Sequence, residues 1–219
     1  MTEQNKALRI DIVSDVVCPW CIVGYRQLQA AIDNTGIKTD IHWHPFELNP
    51  DMPAEGQNMQ EHIAEKYGSS AEESKSNRER LTEVGAELGF KFDFSEDMRM
   101  VNTFDAHQLI HWAETQQRAN DLKQALFIAH FSDHKTISDH QTLAEIAQSV
   151  GLDRAEALQV LADQRYASDV RERQGHWIKQ GIQGVPAVVF DSKYLVSGAQ
   201  GTEQFERCLT DVVAQQKQA

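Results

Sequence analysis

Residues 8–14 (Leu-Arg-Ile-Asp-Ile-Val-Ser) alternate apolar and polar positions and run into Val16 and Val17. That is the period-two signature of a half-buried strand. The period then changes. Cys21, Tyr25, Leu28 and Ile32 recur at i, i+4, i+7 and i+11, which predicts a helix with one apolar face. Pro19 suits its first position, where a missing N–H costs nothing, and Asn34-Thr35-Gly36 ends it. Strand character returns at 37–44, so the chain opens β–α–β.

Residues 45–57 hold Pro45, Pro50, Pro53 and Gly56 and read as a loop. From about 58 to 165 the pattern is helical, broken at Gly68-Ser69-Ser70 and at Gly89 and irregular over 91–94. Ser138 and Gln141 match a capping box ahead of Leu143, Ile146 and Ala147. Gly151 closes that helix, and others are expected over 154–162 and 168–179. Strands follow at 185–190 and 194–196, with Asp191-Ser192-Lys193 as the turn of a hairpin. Thr202 is expected to cap a last helix with Phe205, Leu209 and Val212 on its inner face. The division that follows is an α/β protein in two parts, 1–50 (β–α–β) and 166–219 (α–β–β–α), around an all-helical insertion over 51–165.

The chain has 219 residues, 41% of them hydrophobic and 25% charged. A globular chain of this size buries roughly 70% of its unfolded surface and needs no disulfide or metal staple. The net charge of −12 argues against nucleic acid as a partner, because phosphate binding wants a basic face. No stretch approaches the 18 or so apolar residues of a membrane helix. The start, Met1 to Ala7, does not read as a secretory signal, so the expected compartment is the cytoplasm, which is reducing.

Three cysteines, Cys18, Cys21 and Cys208, do not make a structural disulfide framework. Cys18 and Cys21 stand at i, i+3 where the first strand meets the first helix. That spacing lets them close a small disulfide ring with little backbone movement. The thiolate is the nucleophile, and an ordinary thiol with pKa about 8.5 is only about 3% ionised at pH 7. The positive end of a helix dipole lowers that pKa. Cys18 lies where this field is strongest and Cys21 one turn deeper, on the apolar stripe. Cys18 is therefore expected to attack or be attacked, and Cys21 to resolve the mixed disulfide. Zinc at this pair lacks the further ligands such a site wants. Cys208 reads as a helix-face thiol packed as a small hydrophobe.

Cys18-Pro19-Trp20-Cys21 after a strand, and Gly184-Val-Pro-Ala-Val-Val-Phe190 opening a late hairpin, resemble the thioredoxin fold. The helical block between the halves makes the chain similar to the DsbA family. Three segments resemble its FrnE-like members: Pro45-Phe-Glu-Leu-Asn-Pro50, Asn102-Thr-Phe-Asp-Ala-His107 and Val196-Ser-Gly-Ala-Gln200. The resemblance spans residues 8 to about 215. It implies a thioredoxin fold interrupted by a helical insertion, and disulfide reductase, isomerase or oxidase activity without a cofactor beyond the Cys18–Cys21 disulfide. It also implies a cis Pro186 lying against the cysteines. Val185 and Pro186 would present backbone to substrate, and Asn102 and His107 would border the site as further substrate-binding residues. Some relatives carry a second cysteine pair near the C-terminus, which Cys208 alone cannot form.

The expected partners are a disulfide-containing protein or small thiol and a redox partner, with the chain a monomer or homodimer. Two rival readings stay open. One is a glutathione-dependent isomerase or transferase acting on a small aromatic or polyketide, with glutathione as co-substrate. Relatives of that kind have serine in place of the first cysteine. The other is a redox-sensing or metal-binding protein without turnover. Trp20 is expected to be partly exposed and, with Pro19, to contact substrate. Asp15 reads either as a carboxylate near the thiol, raising its pKa and shuttling its proton, or as an exposed strand-end charge. His44 reads as reaching the thiols or as hydrogen-bonded structure. The pairs His107/His111 and His130/His134 have metal-ligand spacing, but packing or solvent contact is the expected role and no metal is expected. Met98, Arg99 and Met100 are candidates for the edge of a peptide groove.

Overall fold

The computed structural model describes residues 7–53 and 55–216. The first six residues, on which the reading of the chain's start rests, lie outside them. The first unit is β1 (Leu8–Ser14), α1 (Pro19–Thr35) and β2 (Thr39–Pro45). Pro19 occupies the first turn of α1, and Gly36 closes it in the left-handed conformation with its N–H on the Ile32 carbonyl. The last unit is α8 (Ala167–Lys179), β5 (Ala187–Phe190), β6 (Tyr194–Ser197) and α9 (Thr202–Gln216). The strands form one sheet in the order β2-β1-β5-β6. β1 runs parallel to β2, with Ile12 opposite Trp43, and antiparallel to β5, with Ile10 opposite Phe190. Helices α1 and α9 pack together, and α8 packs against β2. Central β1 is thus covered on both faces, which is why Leu8, Ile10, Ile12 and Val13 are all buried with little alternation. Ile22, Leu28, Phe190, Phe205 and Leu209 complete this core.

Between the two units stand β3 (Gln57–Asn58), α2 (Met59–Tyr67), α3 (Ala71–Glu87), β4 (Arg99–Met100), α4 (Phe104–Glu114), α5 (Ala119–Phe131), α6 (His140–Ser149) and α7 (Arg154–Asp163). The insertion is therefore not all helical: β3 and β4 pair antiparallel. Met98 and Met100 are buried in the core, and the Arg99 guanidinium donates to the Glu55 and Gly56 carbonyls. Arg99 and Met100 lie in the ladder, and Met98 and Arg99 line a small pocket with His130 and His134. The 91–94 stretch is irregular because its aromatics pack instead of repeating: Phe92 stacks on Phe94 at 5.3 Å and meets Phe131 edge-on. The cap of α6 also differs from expectation. Asp139, not Ser138, accepts the Thr142 N–H at 2.7 Å, since the aspartate one residue later offers the better acceptor. A full capping box forms instead at Ser70 and Glu73 ahead of α3.

Gly56 lets the ladder close. Its φ is +67°, and an added Cβ would lie 2.4 Å from the Met100 carbonyl oxygen. Gly56→Ala is expected to cost roughly 2–4 kcal/mol, combining left-handed strain with a backbone clash. Urea denaturation of the variant measures it, and an unchanged midpoint would contradict the account.

Candidate active site

Cys18 is the N-cap of α1, with extended backbone (φ −92°, ψ 112°), and the Cys21 N–H bonds its carbonyl at 3.1 Å. The strand-to-helix junction thus sets both cysteines just beyond the C-terminal end of the central strand β1. Both are free thiols. Cys18 keeps 6% of its surface and Cys21 only 1%, so only the first is reachable from outside. The Cys18 thiol donates to the Val185 carbonyl at 3.7 Å. The Val185–Pro186 peptide is cis, and the Pro186 carbonyl accepts the Gly198 N–H at 2.8 Å. Helix α1 approaches this loop closely through Gly24, where a Cβ would stand 3.2 Å from Pro186 Cγ. Val185 and Pro186 therefore wall the site as the resemblance implied.

The rim is aromatic. Trp20 is partly buried, with the Arg80 guanidinium of α3 5.4 Å over its ring. Tyr67, at the end of α2, is 60% exposed. Its phenol is pushed up by partial burial and then by the charges of Cys18 and Asp15. Nothing in the sequence marked Tyr67 or Arg80, because the insertion folds them over the cysteines from far along the chain.

The two thiols share one ionisation. Hydrogen bonding toward Cys21, then burial and the Asp15 charge, hold Cys18 well above the ordinary thiol range. Burial works against a charge on Cys21, but the Cys18 donor, Ser14 and Lys123 together bring it below that range. The expectation that Cys18 has a lowered pKa is thus corrected for the dithiol form, where Cys21, burial and Asp15 hold it up.

Asp15 is not an exposed strand-end charge. It is fully buried, with its Oδ2 accepting the Leu48 N–H at 2.7 Å and its Oδ1 3.4 Å from His107 Nε2. Burial pushes its carboxyl up, but His107, the Leu48 amide and Lys123 bring it below the usual range. His107 is 3% exposed and also bonds the Phe46 carbonyl at 3.2 Å. Burial keeps it neutral by lowering its pKa. It cannot touch a substrate, so its expected substrate-binding role is corrected to one of support. Asn102 acts likewise: its side chain donates to the Pro50 and Met52 carbonyls and caps the Phe104 N–H.

Two of the three segments singled out by resemblance, 45–50 and 102–107, thus bind each other. Other groups reinforce the first: Gln174 takes the Glu47 N–H, Arg171 pairs with the buried Glu47 carboxylate, and His62 and Lys66 bond Asn49. Asn102→Ala is expected to cost roughly 1–3 kcal/mol for the lost and orphaned hydrogen bonds and to speed amide exchange across 45–53. Unchanged exchange there would refute the pinning role.

The remaining candidates fall outside the site. His44 pairs with Asp11 at 2.7 Å and packs on Trp177. His111 faces Glu114 at 3.7 Å and Asp169 at 3.5 Å. His134 follows α5 in a left-handed turn (φ +57°) and faces Asp93 at 3.6 Å, lining the same pocket as His130. No group of three or more His, Cys, Asp or Glu side chains among the described residues is arranged to hold a metal. Cys208 is half buried on α9, beside Gln204.

The profile of the DSBA-like thioredoxin domain matches residues 9–210. This chain belongs to that family. A probable DsbA oxidoreductase from Streptomyces coelicolor is 33% identical and superposes with a TM-score of 0.89 over 94% of this chain and 90% of its own. An uncharacterized Bacillus subtilis protein, YwbO, is 25% identical over 93% of this chain and 96% of its own. The cytosolic disulfide reductase DsbM from Pseudomonas aeruginosa, solved with GSH, shares the fold at 14% identity and a TM-score of 0.65, covering 94% of this chain and 100% of its own. No helix among the described residues of this DsbA-family chain is long and apolar enough to cross a membrane.

Proposed function

We propose that the protein is a thiol–disulfide oxidoreductase in which Cys18 attacks and Cys21 resolves. The observation that carries this is the reachable Cys18 thiol at the start of α1, facing the Val185 carbonyl with Cys21 sealed behind it. The Cys18 thiolate attacks one sulfur of a substrate disulfide, and the other leaves as a thiolate and is protonated. Cys21 gives up its proton and attacks Cys18 Sγ, releasing the second substrate thiolate. The substrate disulfide is thereby reduced by two electrons and the enzyme pair oxidised; oxidation is the reverse.

The partner class is a disulfide-containing protein or a small thiol such as glutathione. The compartment we favour is the cytoplasm, and there the reductive or isomerising direction. The FrnE-like subgroup belongs to the same proposal, supported by the mutual bonding of segments 45–50 and 102–107. The test is equilibration in graded ratios of reduced to oxidised glutathione, followed by mass-tag alkylation and peptide mapping. Cys18 and Cys21 are expected to switch together at one potential. Uptake of glutathione at Cys18 alone would favour the glutathione-dependent small-molecule rival, and a pair that stays reduced throughout would overturn exchange.

A further inference from the structure

Lys123 is a cation in an apolar place. It stands on α5 in line with Phe127 and His130, at i, i+4 and i+7, on the face turned toward the thioredoxin unit. Only 1% of it is exposed. Its ammonium packs 5.3 Å over both the Trp43 and Phe127 rings, and its hydrogen bond is a long one, 3.4 Å to the Ser14 carbonyl. Burying a lysine with so little compensation costs several kcal/mol, and packing offers no return that a methionine would not give. The groups that face it are Cys21 and Cys18 at the start of α1, Asp15 in the turn before it and His107 on α4. His107 is neutral, and Asp15 is already engaged by Leu48 and His107. The anion left without a dedicated partner is the thiolate of the cysteine pair. Ser14 points the same way: its buried hydroxyl has no oxygen or nitrogen partner among the described residues and lies beside Cys21.

We propose that Lys123 is the positioning residue of the resolving step, a fixed counter-charge lent by the helical insertion to the Cys21 thiolate. The inference rests on the exchange reading above. In the mixed disulfide, Cys18 is bonded to the substrate sulfur and Cys21 is a buried thiol. Cys21 then loses its proton to solvent and holds its charge against the Lys123 ammonium. A bond forms from Cys21 to Cys18 Sγ, the Cys18–substrate bond breaks, and the leaving thiolate carries off the electron pair and takes up a proton. Once the disulfide has closed, the thiolate charge is gone and Lys123 has only Asp15 as an anionic neighbour. Burial already brings its pKa down to about 8, and the loss of the thiolate lowers it further. The state of the disulfide is therefore written into the ionisation of a residue in the other structural unit.

The experiment uses the full chain and its Lys123→Met variant, an apolar exchange of similar volume. Reduced protein is mixed with oxidised glutathione, quenched in acid at intervals and weighed by mass spectrometry, from pH 6 to 9. The variant is expected to accumulate the Cys18–glutathione mixed disulfide at pH 7. Its resolution should be about tenfold slower, with the midpoint of the pH profile about one unit higher, the shift that corresponds to a tenfold fall in thiolate. Its thermal midpoint should stay level or rise, since a buried charge has been removed, whereas a merely structural lysine would lower it.

Resolution with the same rate and pH profile in both proteins would overturn the proposal. Absence of any mixed disulfide in the unmodified protein would instead overturn the exchange reading beneath it. Should the variant fail to fold, the unmodified protein carries the test. The Lys123 side-chain resonance in lysine-labelled protein is expected to titrate at lower pH in the disulfide form than in the dithiol form, and equal midpoints would sink the idea.

Discussion

Replacing Cys18 by serine is expected to lower disulfide exchange by at least about a thousandfold, the scale seen when a catalytic nucleophile is removed. A serine hydroxyl does not ionise near neutral pH, and Cys21 at 1% exposure cannot replace the lost sulfur. Cys21→Ser should behave differently. Cys18 still attacks, but nothing resolves the product, so stoichiometric mixed disulfide builds up and turnover stops. The check is turnover of a dithiol substrate alongside intact-mass measurement of each variant. Substantial turnover by Cys18→Ser would remove the mechanism, and rapid turnover by Cys21→Ser would transfer it to a monothiol, glutathione-dependent scheme.

Acid is expected to unfold the protein through histidine before carboxylates contribute. Burial lowers the pKa of His130 from 6.5 to about 4. The unfolded chain therefore binds its proton first, and stability falls as pH drops from 6.5 to 4. That shift corresponds to roughly 3 kcal/mol, and His107, also lowered mainly by burial, acts in the same direction below pH 6.5. Asp11 adds a second stage. Burial would raise it, but His44 and Arg9, at 2.7 and 2.6 Å, bring it to about 2. Its contribution is present above pH 3.8 and lost as pH falls toward 2, about 2 kcal/mol more. Against a typical total of 5–15 kcal/mol, the first stage removes a large part of the margin by pH 4 and the second brings on unfolding between pH 4 and 2. Urea midpoints at pH 7, 5.5 and 4 for the protein and for His130→Leu check this. A flat profile over that range would contradict the burial account, and His130→Leu should flatten the first stage.

What was legible in the sequence was local. The strand at 8–14, the helix after Pro19, the hairpin at 185–196 and the apolar face of α9 all follow from period and turn chemistry, and Cys18 with Cys21 follows from the junction between two periods. The residues that surround the thiols were not legible in the same way, because they arrive from elements distant in sequence. Asp15 was seen beside the cysteines, but whether it was buried depended on a loop 33 residues later offering the Leu48 amide. His107 and Asn102 were found by resemblance and assigned to substrate, when their partners are carbonyls of the 45–53 loop. Lys123 did leave a signal. A lysine at i with an aromatic at i+4 and a histidine at i+7 on an otherwise apolar helix face is a charge where the pattern asks for a hydrophobe, and such a charge needs an anion close by.

The sheet pairs Ile10 with Phe190, and that long span has a consequence for synthesis on the ribosome. Helix α1 and both cysteines emerge early, yet Val185 and the strand that seats it emerge only when most of the chain has been made. Until then the two thiols have neither their wall nor the Lys123 face of the insertion. A nascent chain therefore carries two ordinary cysteines, exposed to oxidants but without directed reactivity. On the proposed exchange reading, activity is expected to switch on only with completion of the fold, so that the chain would not act on its neighbours, or on itself, while it is still being made.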